Sequence, residues 1–214
     1  FSAACYYLGK TLDVDLVHGH DWHVALTVVL NALDGDGKPT CFTIHNLAYQ
    51  GDHPKWMTGF LRIDPFNIDE NVLIHLDKMN YLKGALLTAD EITTVSPGYR
   101  DEILSVPSGQ FLSWLLNERK DSLTGILTGV EMNEWNPEFD RKIYTNYTKE
   151  TSGSGKEHNK ISLYKEFGIK IDYSRPLIGL IGRLTYQKGF GIFLSSFFQK
   201  RHLPFYYFFL GSGD

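Results

Sequence analysis

The sequence has few cysteines, no excess of basic residues and no long hydrophobic run. Two cysteines, Cys5 and Cys41, are too few for a disulfide framework and indicate a reducing compartment. The formal net charge of -4 argues against a nucleic-acid or anionic-membrane partner, because such partners usually require a basic face. The longest apolar stretch, around residues 205–210, is far shorter than a membrane-spanning helix requires. We therefore expect no nucleic-acid partner and no membrane span.

The composition supports a folded core. Of the 214 residues, 43% are hydrophobic and 21% are charged, which is typical of globular proteins and not of disordered chains. The length fits one large domain or two small ones. Residue 1 is Phe and the last four residues read as a loop, so we expect an internal fragment of a longer protein.

Strands and helices alternate in the first half of the chain, which predicts a parallel α/β sheet. Apolar runs predict strands at 14–17, 40–44, 91–95 and 124–127. Helical periodicity predicts helices at 1–10, 22–33, 71–89, 96–104 and 112–118, and residues 49–70 read as a long loop.

A second alternating pattern begins after a segment with Pro, Gly and Ser. Helices are predicted at 156–167 and 188–199, with strands at 176–181 and 205–210. We therefore predict a first domain at 1–131, an interdomain linker at 132–155 and the start of a second domain at 156–214.

The carboxyl ends of the predicted strands are the expected ligand-binding edge of such sheets. Asp21 follows the first strand, where it is either a helix N-cap or a carboxylate that faces a ligand. His45 follows the second strand, where it is either a structural histidine or part of the same site. The sequence leaves both alternatives open.

Three histidines at 18, 20 and 23 approach the metal-ligand run of metallo-β-lactamase-type hydrolases. In that run an Asp directly precedes the last histidine, whereas here Trp22 does. No later isolated histidine with glycine neighbours completes a zinc set, which needs at least three converging ligands. A metallohydrolase is therefore an alternative hypothesis, and we expect no metal.

The segment GRLTYQKG at 182–189 is the clearest candidate for phosphate binding. Arg183 leaves a predicted strand and Lys188 begins a predicted helix, whose N-terminus favours anions through its free N–H groups. The spacing fits neither a P-loop nor a dinucleotide-binding glycine motif. The alternative is a solvated charged turn.

Together these motifs resemble those of the bacterial glycogen synthase and plant starch synthase family, retaining glucosyltransferases with two Rossmann-like domains (GT-B). The matching stretches are HDWH at 20–23, FTIHNLAYQG at 42–51, YLKGALLTADEITTVSPGY at 81–99, EWNP at 134–137, PLIGLIGRLTYQKG at 176–189 and LGSGD at 210–214. NYLKGALLTAD and GRLTYQKG are most similar to plant or algal soluble starch synthases.

The resemblance implies transfer of glucose from a nucleotide-glucose, usually ADP-glucose, to the non-reducing end of an α-1,4-glucan, without metal or cofactor. It implies that Arg183 and Lys188 neutralise the leaving diphosphate, that His45 hydrogen-bonds the donor glucose and that Asp21 lies near the reacting sugars. The substrate-binding positions that it implies are His20, Asn46, Tyr49, Thr128, Gly182, Gln187, Gly211 and Asp214. The family's front-face route needs no paired carboxylates.

The chain also departs from the family pattern. The family's K-x-G-G-L loop would precede Phe1 and its E-P-x-G-L stretch would follow Asp214, so we expect the isolated chain to be inactive. Thr128 stands where the family usually has Asn, which motivates the alternative of a catalytically impaired glucan-binding or scaffold homologue. The expected location is a plastid for a plant or algal protein and otherwise the cytoplasm.

Overall fold

A computed structural model describes residues 1–34, 37–61, 70–170, 172 and 174–213. The chain divides into two compact units, Phe1–Gly129 and Val130–Asp214, here called unit 1 and unit 2. The division falls close to the predicted end of the first domain, although the predicted domain and linker boundaries themselves stay a prediction. Asp214 and the 62–69 part of the predicted loop lie outside the described residues.

Unit 1 alternates strands and helices along the chain. In order they are α1 (Ser2–Thr11), β1 (Val17–His20), α2 (Ala25–Leu33), β2 (Thr40–Ile44), β3 (Asp52–Pro54), α3 (Glu70–Leu73), β4 (Ile74–His75), β5 (Lys78–Asn80), α4 (Tyr81–Thr88), β6 (Glu91–Thr94), α5 (Pro97–Ile103), α6 (Ser113–Glu118) and β7 (Leu123–Gly125). Short 3-10 helices lie at Trp22–Val24, Lys55–Leu61 and Lys120–Ser122.

A parallel sheet with the strand order β1-β2-β6-β7 carries the core of unit 1. Phe42, Ile44 and Ile92 on its central strands are fully buried, because helices cover them. The carboxyl ends of the four strands therefore share one edge, as the βαβ pattern predicts.

Strand β1 ends later than predicted. The structure places it at Val17–His20 and not at 14–17, because Val17 pairs with Thr40 and His20 pairs with Thr43. Gly19 is buried under α2, where an added Cβ would lie 3.1 Å from Val28 and 3.2 Å from the Phe42 ring. A glycine between two histidines thus lets the strand pass close beneath the helix.

The helix predicted at 71–89 is wrong. This stretch contains most of α3, the antiparallel pair β4–β5 and the shorter helix α4. Strand β3, which lies in the predicted loop at 49–70, pairs with β5. Leu76 and Asp77 have φ angles of 49° and 59°, the two consecutive positive values of a two-residue hairpin turn. Helix α4 begins only after Asn80, whose side chain accepts the Lys83 backbone N–H at 2.7 Å.

Unit 2 contains α7 (Ser152–Glu166), β8 (Leu177–Ile181), α8 (Phe190–Lys200) and β9 (Tyr206–Leu210), with a 3-10 helix at Tyr186–Lys188. Strands β8 and β9 pair in parallel. Aromatic contacts fill the space beneath α7 and α8, with Tyr164 against Tyr206 and Phe197 against Tyr207.

The segment predicted as a linker, 132–155, is held to the rest of unit 2. The Asn159 side chain on α7 accepts the backbone N–H groups of Tyr144 and Thr145 at 2.8 and 3.1 Å. Within the segment itself, the Asn146 side chain donates to the Pro137 carbonyl at 2.9 Å. Helix α7 also begins at Ser152 and not at 156, so part of this glycine-containing segment is helical.

Candidate functional site

Two histidines meet where β1 and β2 end. His20 Nδ1 lies 3.0 Å from His45 Nε2, and both side chains are exposed. One ring nitrogen donates and the other accepts, so the tautomer of each imidazole depends on that of the other, and the contact orients both rings. The sequence predicted that both residues lie on this edge, and the structure brings them into direct contact.

His18 lies on the same face of β1 and connects this pair to the sheet. Its Nε2 is 2.7 Å from Thr43 Oγ1, which lies 2.6 Å from Thr93 Oγ1. The His18 and His20 ring centroids are 4.3 Å apart. Burial, and secondarily the repulsion from His20 and His45, lowers the pKa of His18, so the neutral ring is favoured.

Thr43 and Thr93 are absent from the sequence-based site. Both belong to strands that pattern analysis identifies by their apolar residues. Successive side chains of a strand point to opposite faces of the sheet, and this alternation along β2 and β6 is the signal that could have placed Thr43 and Thr93 beside His18.

Asp21 connects the ends of β1 and β2 and does not cap a helix. Its Oδ1 accepts the His45 backbone N–H at 2.9 Å, and its own N–H donates to the Thr43 carbonyl at 3.0 Å. Its side chain makes no capping bond to the 3-10 helix that follows. Its φ of 59° is unusual for a residue other than glycine, and such backbone strain concentrates at functional sites.

The loop after β2 presents Asn46 and Tyr49. Asn46 Oδ1 accepts the Ala48 N–H at 3.1 Å, which leaves its Nδ2 without a hydrogen bond to the described residues. Tyr49 is 50% exposed. The loop is anchored by Tyr99, a residue that the sequence analysis missed, whose hydroxyl accepts the Leu47 N–H at 3.0 Å.

Thr128 lies at the same edge of the sheet, beyond the end of β7. Its N–H donates to the Val95 carbonyl at 3.3 Å, directly after β6, and the residue is exposed. The structure therefore tethers this position by its backbone and leaves the side chain accessible. Nothing in these contacts explains why Thr stands there.

In unit 2 the turn after β8 presents two cations. Arg183 and Lys188 are exposed, and neither side chain forms an ion pair or hydrogen bond with the part of the chain that the structure describes. Gln187 is likewise exposed. Arg183 leaves the strand end as predicted, whereas Lys188 lies in the 3-10 helix before Gly189 and α8.

Glycines allow this turn and the loop after β9 to approach closely. The Gly182 N–H donates to the Leu210 carbonyl at 3.0 Å, and the Leu184 N–H donates to the Ser212 carbonyl at 2.9 Å. A Cβ added to Gly211 would lie 2.0 Å from the Gly182 oxygen. At Gly213, which the sequence analysis did not single out, it would lie 2.5 Å from the Leu184 oxygen. The predicted site residue Asp214 lies outside the described residues.

The described ranges offer no metal site and no membrane span. Within them, no group of three or more His, Cys, Asp or Glu side chains is arranged to hold a metal ion. The His23 ring stacks on Trp22 with centroids 4.1 Å apart. No helix in the same ranges has the length and apolar character to cross a bilayer.

Comparisons with known proteins decide the family. The family model described as "Starch synthase catalytic domain" matches residues 1–118. The chain belongs to this family. This membership confirms the resemblance that the HDWH and IHNLAYQG motifs predict.

Curated relatives of this starch synthase family chain are glycogen synthases from bacteria. The protein from Leptospira biflexa is 52% identical over 215 residues, which cover 100% of this chain and 45% of the relative. The protein from Geotalea daltonii is 42% identical over 181 residues, which cover 82% of this chain and 37% of the relative. This chain therefore spans less than half the length of these relatives.

A solved structure is similar over almost the entire chain. It is the catalytic domain of starch synthase IV from Arabidopsis thaliana, bound to ADP and acarbose, with a TM-score of 0.82 and 30% identity. The match covers 99% of this chain and 45% of that one. The fold is therefore of the GT-B type, with a Rossmann-like parallel α/β arrangement in each unit, as predicted.

Proposed function

We propose that the full-length gene product is a starch or glycogen synthase. It transfers glucose from ADP-glucose to the non-reducing end of an α-1,4-glucan and retains the anomeric configuration. The observation that carries the proposal is the pair Arg183 and Lys188 on the turn after β8, both exposed and without an ion-pair partner among the described residues. Membership of the family and the glycogen synthase relatives support it.

In unit 2 the two cations bind the diphosphate of the donor. A leaving diphosphate gains negative charge as the glucosyl bond breaks, and cations fixed before the reaction stabilise that charge. The side chains form no internal ion pairs among the described residues that a donor would have to break. Close contact between backbones at Gly182 and Gly211 shapes the turn, and Gln187 lines the nucleotide side.

In unit 1 the strand-end cluster binds the sugars. His45 hydrogen-bonds the donor glucose, and His20 orients the His45 ring through the 3.0 Å contact. Asp21 holds the His45 backbone in place, while Asn46, Tyr49 and Thr128 supply further polar contacts. Accessible groups on a strongly hydrogen-bonded sheet edge suit this task, because a rigid support fixes their orientation.

In the proposed reaction the acceptor hydroxyl oxygen forms a bond to the glucose anomeric carbon, and the bond from that carbon to the diphosphate oxygen breaks. The acceptor proton passes to the departing phosphate oxygen on the same face. ADP carries away the bonding electron pair, so the step balances without a metal, an oxidant or a further base. Arg183 and Lys188 lower the barrier by stabilising the developing charge.

The test is incorporation of labelled glucose from ADP-glucose into glycogen by the full-length gene product. Arg183→Ala and Lys188→Ala should each lower kcat about 10²–10³-fold, the usual loss for one transition-state contact. Arg201→Ala is the matched control, because Arg201 is an exposed arginine at the other end of α8. Near-normal rates in both turn variants would refute the phosphate assignment.

The same assay decides among the finer proposals. Glycogen binding without incorporation would favour the scaffold alternative that Thr128 motivates. UDP-glucose in place of ADP-glucose tests the donor base. We propose that the protein acts in the cytoplasm if its host is bacterial, which the bacterial relatives favour, and in a plastid if its host is a plant or alga.

A further inference from the structure

Unit 2 contains a cavity of about 480 Å³ that the proposed reaction does not use. Helix α7 and the segment that precedes it line the cavity, together with Leu177, the first residue of β8. Arg183 and Lys188 follow the other end of this five-residue strand, which is about 13 Å long. The cavity therefore lies at the opposite edge of the β8–β9 pair from the turn that carries these two cations. Its volume falls within the roughly 300–1,000 Å³ of pockets for drug-sized ligands.

Hydrogen bonds and close packing hold the two walls of the cavity together. The Asn159 side chain on α7 accepts the N–H groups of Tyr144 and Thr145 and donates to the Thr145 and Gly155 carbonyls at 2.7 and 2.8 Å. Tyr147 packs directly on the helix, because a Cβ added to Gly155 would lie 2.4 Å from the Tyr147 Cβ. The cavity is therefore formed by the fold itself, and all four hydrogen-bonding positions of the Asn159 amide are used within the protein.

Positive charge is concentrated at this cavity. Lys142, Lys156 and Lys160 line it, whereas no Asp or Glu among the described residues does. Lys156 and Lys160 are four residues apart on α7 and so share one face of the helix. Lys156 forms no ion pair with the described residues, and the pair of Lys142 with Glu134 at 3.2 Å is exposed and easily exchanged. Three ammonium groups match a phosphate group, which carries about two negative charges at pH 7.

The rest of the lining is aromatic and aliphatic. It consists of Ile143, Tyr144, Tyr147, Leu163 and Leu177. A sugar ring needs uncharged hydrogen-bonding groups around its edge, and the Asn159 amide is already used. An aromatic ring binds by stacking and by burial of its faces, which tyrosine and leucine side chains provide. The lining therefore favours an aromatic ring over a sugar as the body of the ligand.

We propose that this cavity binds a nucleoside monophosphate, with its phosphate at the three lysines and its base against Tyr144 and Tyr147. Such a ligand combines an aromatic ring with a doubly charged group and fits a cavity of about 480 Å³. Stacking tolerates different bases, so both AMP and UMP should bind. The proposal goes beyond the proposed function and does not depend on it, because the site is distinct from the turn after β8 and binding alone tests it.

The experiment measures AMP binding by calorimetry with the full-length gene product that carries Arg183→Ala and Lys188→Ala. These two substitutions weaken nucleotide binding at the turn after β8, so the remaining binding reports on the cavity. In this background, Lys156→Gln and Lys160→Gln should each lower the affinity for AMP about three- to tenfold. They should lower the affinity for inorganic phosphate by a similar factor, since both ligands use the same cations.

Tyr144→Ala tests the base. It should weaken AMP about five- to tenfold and leave the affinity for inorganic phosphate unchanged, whereas Tyr144→Phe should bind AMP like the background. Lys165→Gln is the matched control for the charge variants, because Lys165 is an exposed lysine on α7 outside the cavity lining. It should leave AMP binding unchanged.

Hydrogen exchange in the wild type gives a second measurement that needs no substitution. AMP should slow amide exchange in residues 142–163, and it decides the test if the double variant does not fold. Unchanged AMP affinity in the lysine variants and in Tyr144→Ala would overturn the proposal. Adenosine that binds as tightly as AMP would overturn the role of the lysines, and inorganic phosphate that binds as tightly as AMP would overturn the role of the base. If AMP neither binds the double variant nor slows exchange in these residues, the cavity is not a nucleotide site.

Discussion

The glycine contacts in unit 2 lead to a quantitative prediction for Gly211→Ala. The added Cβ would lie 2.0 Å from the Gly182 carbonyl oxygen and 3.1 Å from its carbon. Both atoms belong to backbone at a strand end and cannot rotate away as a side chain would. The loop after β9 must therefore separate from the turn that carries Arg183.

The separation breaks two hydrogen bonds, and the typical contribution of such a bond to the free energy of unfolding is known. The Gly182–Leu210 bond of 3.0 Å and the Leu184–Ser212 bond of 2.9 Å span the same contact. Each contributes about 1 kcal/mol, and some strain remains, so Gly211→Ala should lower the free energy of unfolding by about 2–4 kcal/mol. The proposed function adds a second expectation: ADP affinity should fall as well, because the turn that presents the two cations loses its support.

Gly191→Ala is the matched control. Gly191 lies in α8, its φ is ordinary and an added Cβ there meets nothing within 4 Å. The substitution removes the same backbone freedom from the unfolded chain and should raise stability by up to about 1 kcal/mol. The difference between the two variants therefore isolates the close contact.

Urea unfolding measures the stability change, calorimetry measures ADP binding, and hydrogen exchange at the Leu184 amide reports on the contact itself. Gly211→Ala should speed that exchange, whereas Gly191→Ala should not. If Gly211→Ala is as stable as Gly191→Ala, protects the Leu184 amide and binds ADP normally, the argument from the close contact is refuted.

Two further predictions concern unit 1. Because the pKa of His18 is lowered in the folded state, the unfolded chain takes up the proton more readily, and stability should fall as the pH drops below about 6.5. His18→Asn should reduce this slope in urea titrations at several pH values, and an unchanged slope would assign it to other groups. Tyr99→Phe leaves the Leu47 N–H without its acceptor and should cost about 1–2 kcal/mol of unfolding free energy, whereas the exposed Tyr7→Phe should cost nothing. Equal stability of these two variants would show that the Tyr99 contact contributes nothing.

The strands buried on both faces could be predicted from the sequence. Residues 40–44 and 91–95 are short runs bounded by polar residues, and the structure has strands at Thr40–Ile44 and Glu91–Thr94. Residues 40–44 and 91–95 combine buried apolar side chains with threonines, and β-branched and aromatic residues favour strands, so these runs are visible without their partners. The edge that carries the candidate site could be predicted as well, because the carboxyl ends of parallel strands meet at one edge of the sheet.

The β4–β5 hairpin could not be predicted in this way. Ile74–His75 and Lys78–Asn80 are too short to show alternation, and the turn between them holds Leu76 where hairpin signals require Asn or Gly. Helical periodicity therefore extended across it. Strand β5 also pairs with β3, which lies more than 20 residues earlier in the chain. A local sequence pattern does not show such a distant pairing.

Asp21 illustrates where sequence reasoning ends. Its position after a strand and before a helical turn fits a cap and a site carboxylate equally well, because both require a polar residue there. The structure separates them through one contact, the 2.9 Å bond from the His45 N–H, which depends on the β1–β2 register. Gly19, in the middle of β1, passes close under α2, where an added Cβ would lie 3.1 Å from Val28 and 3.2 Å from the Phe42 ring. The direct chemical roles of Asp21 and His45 stay a prediction, whereas the contact between them is a hydrogen bond that the β1–β2 pairing brings about. A substitution that shifts β1 would therefore disturb both residues without touching either.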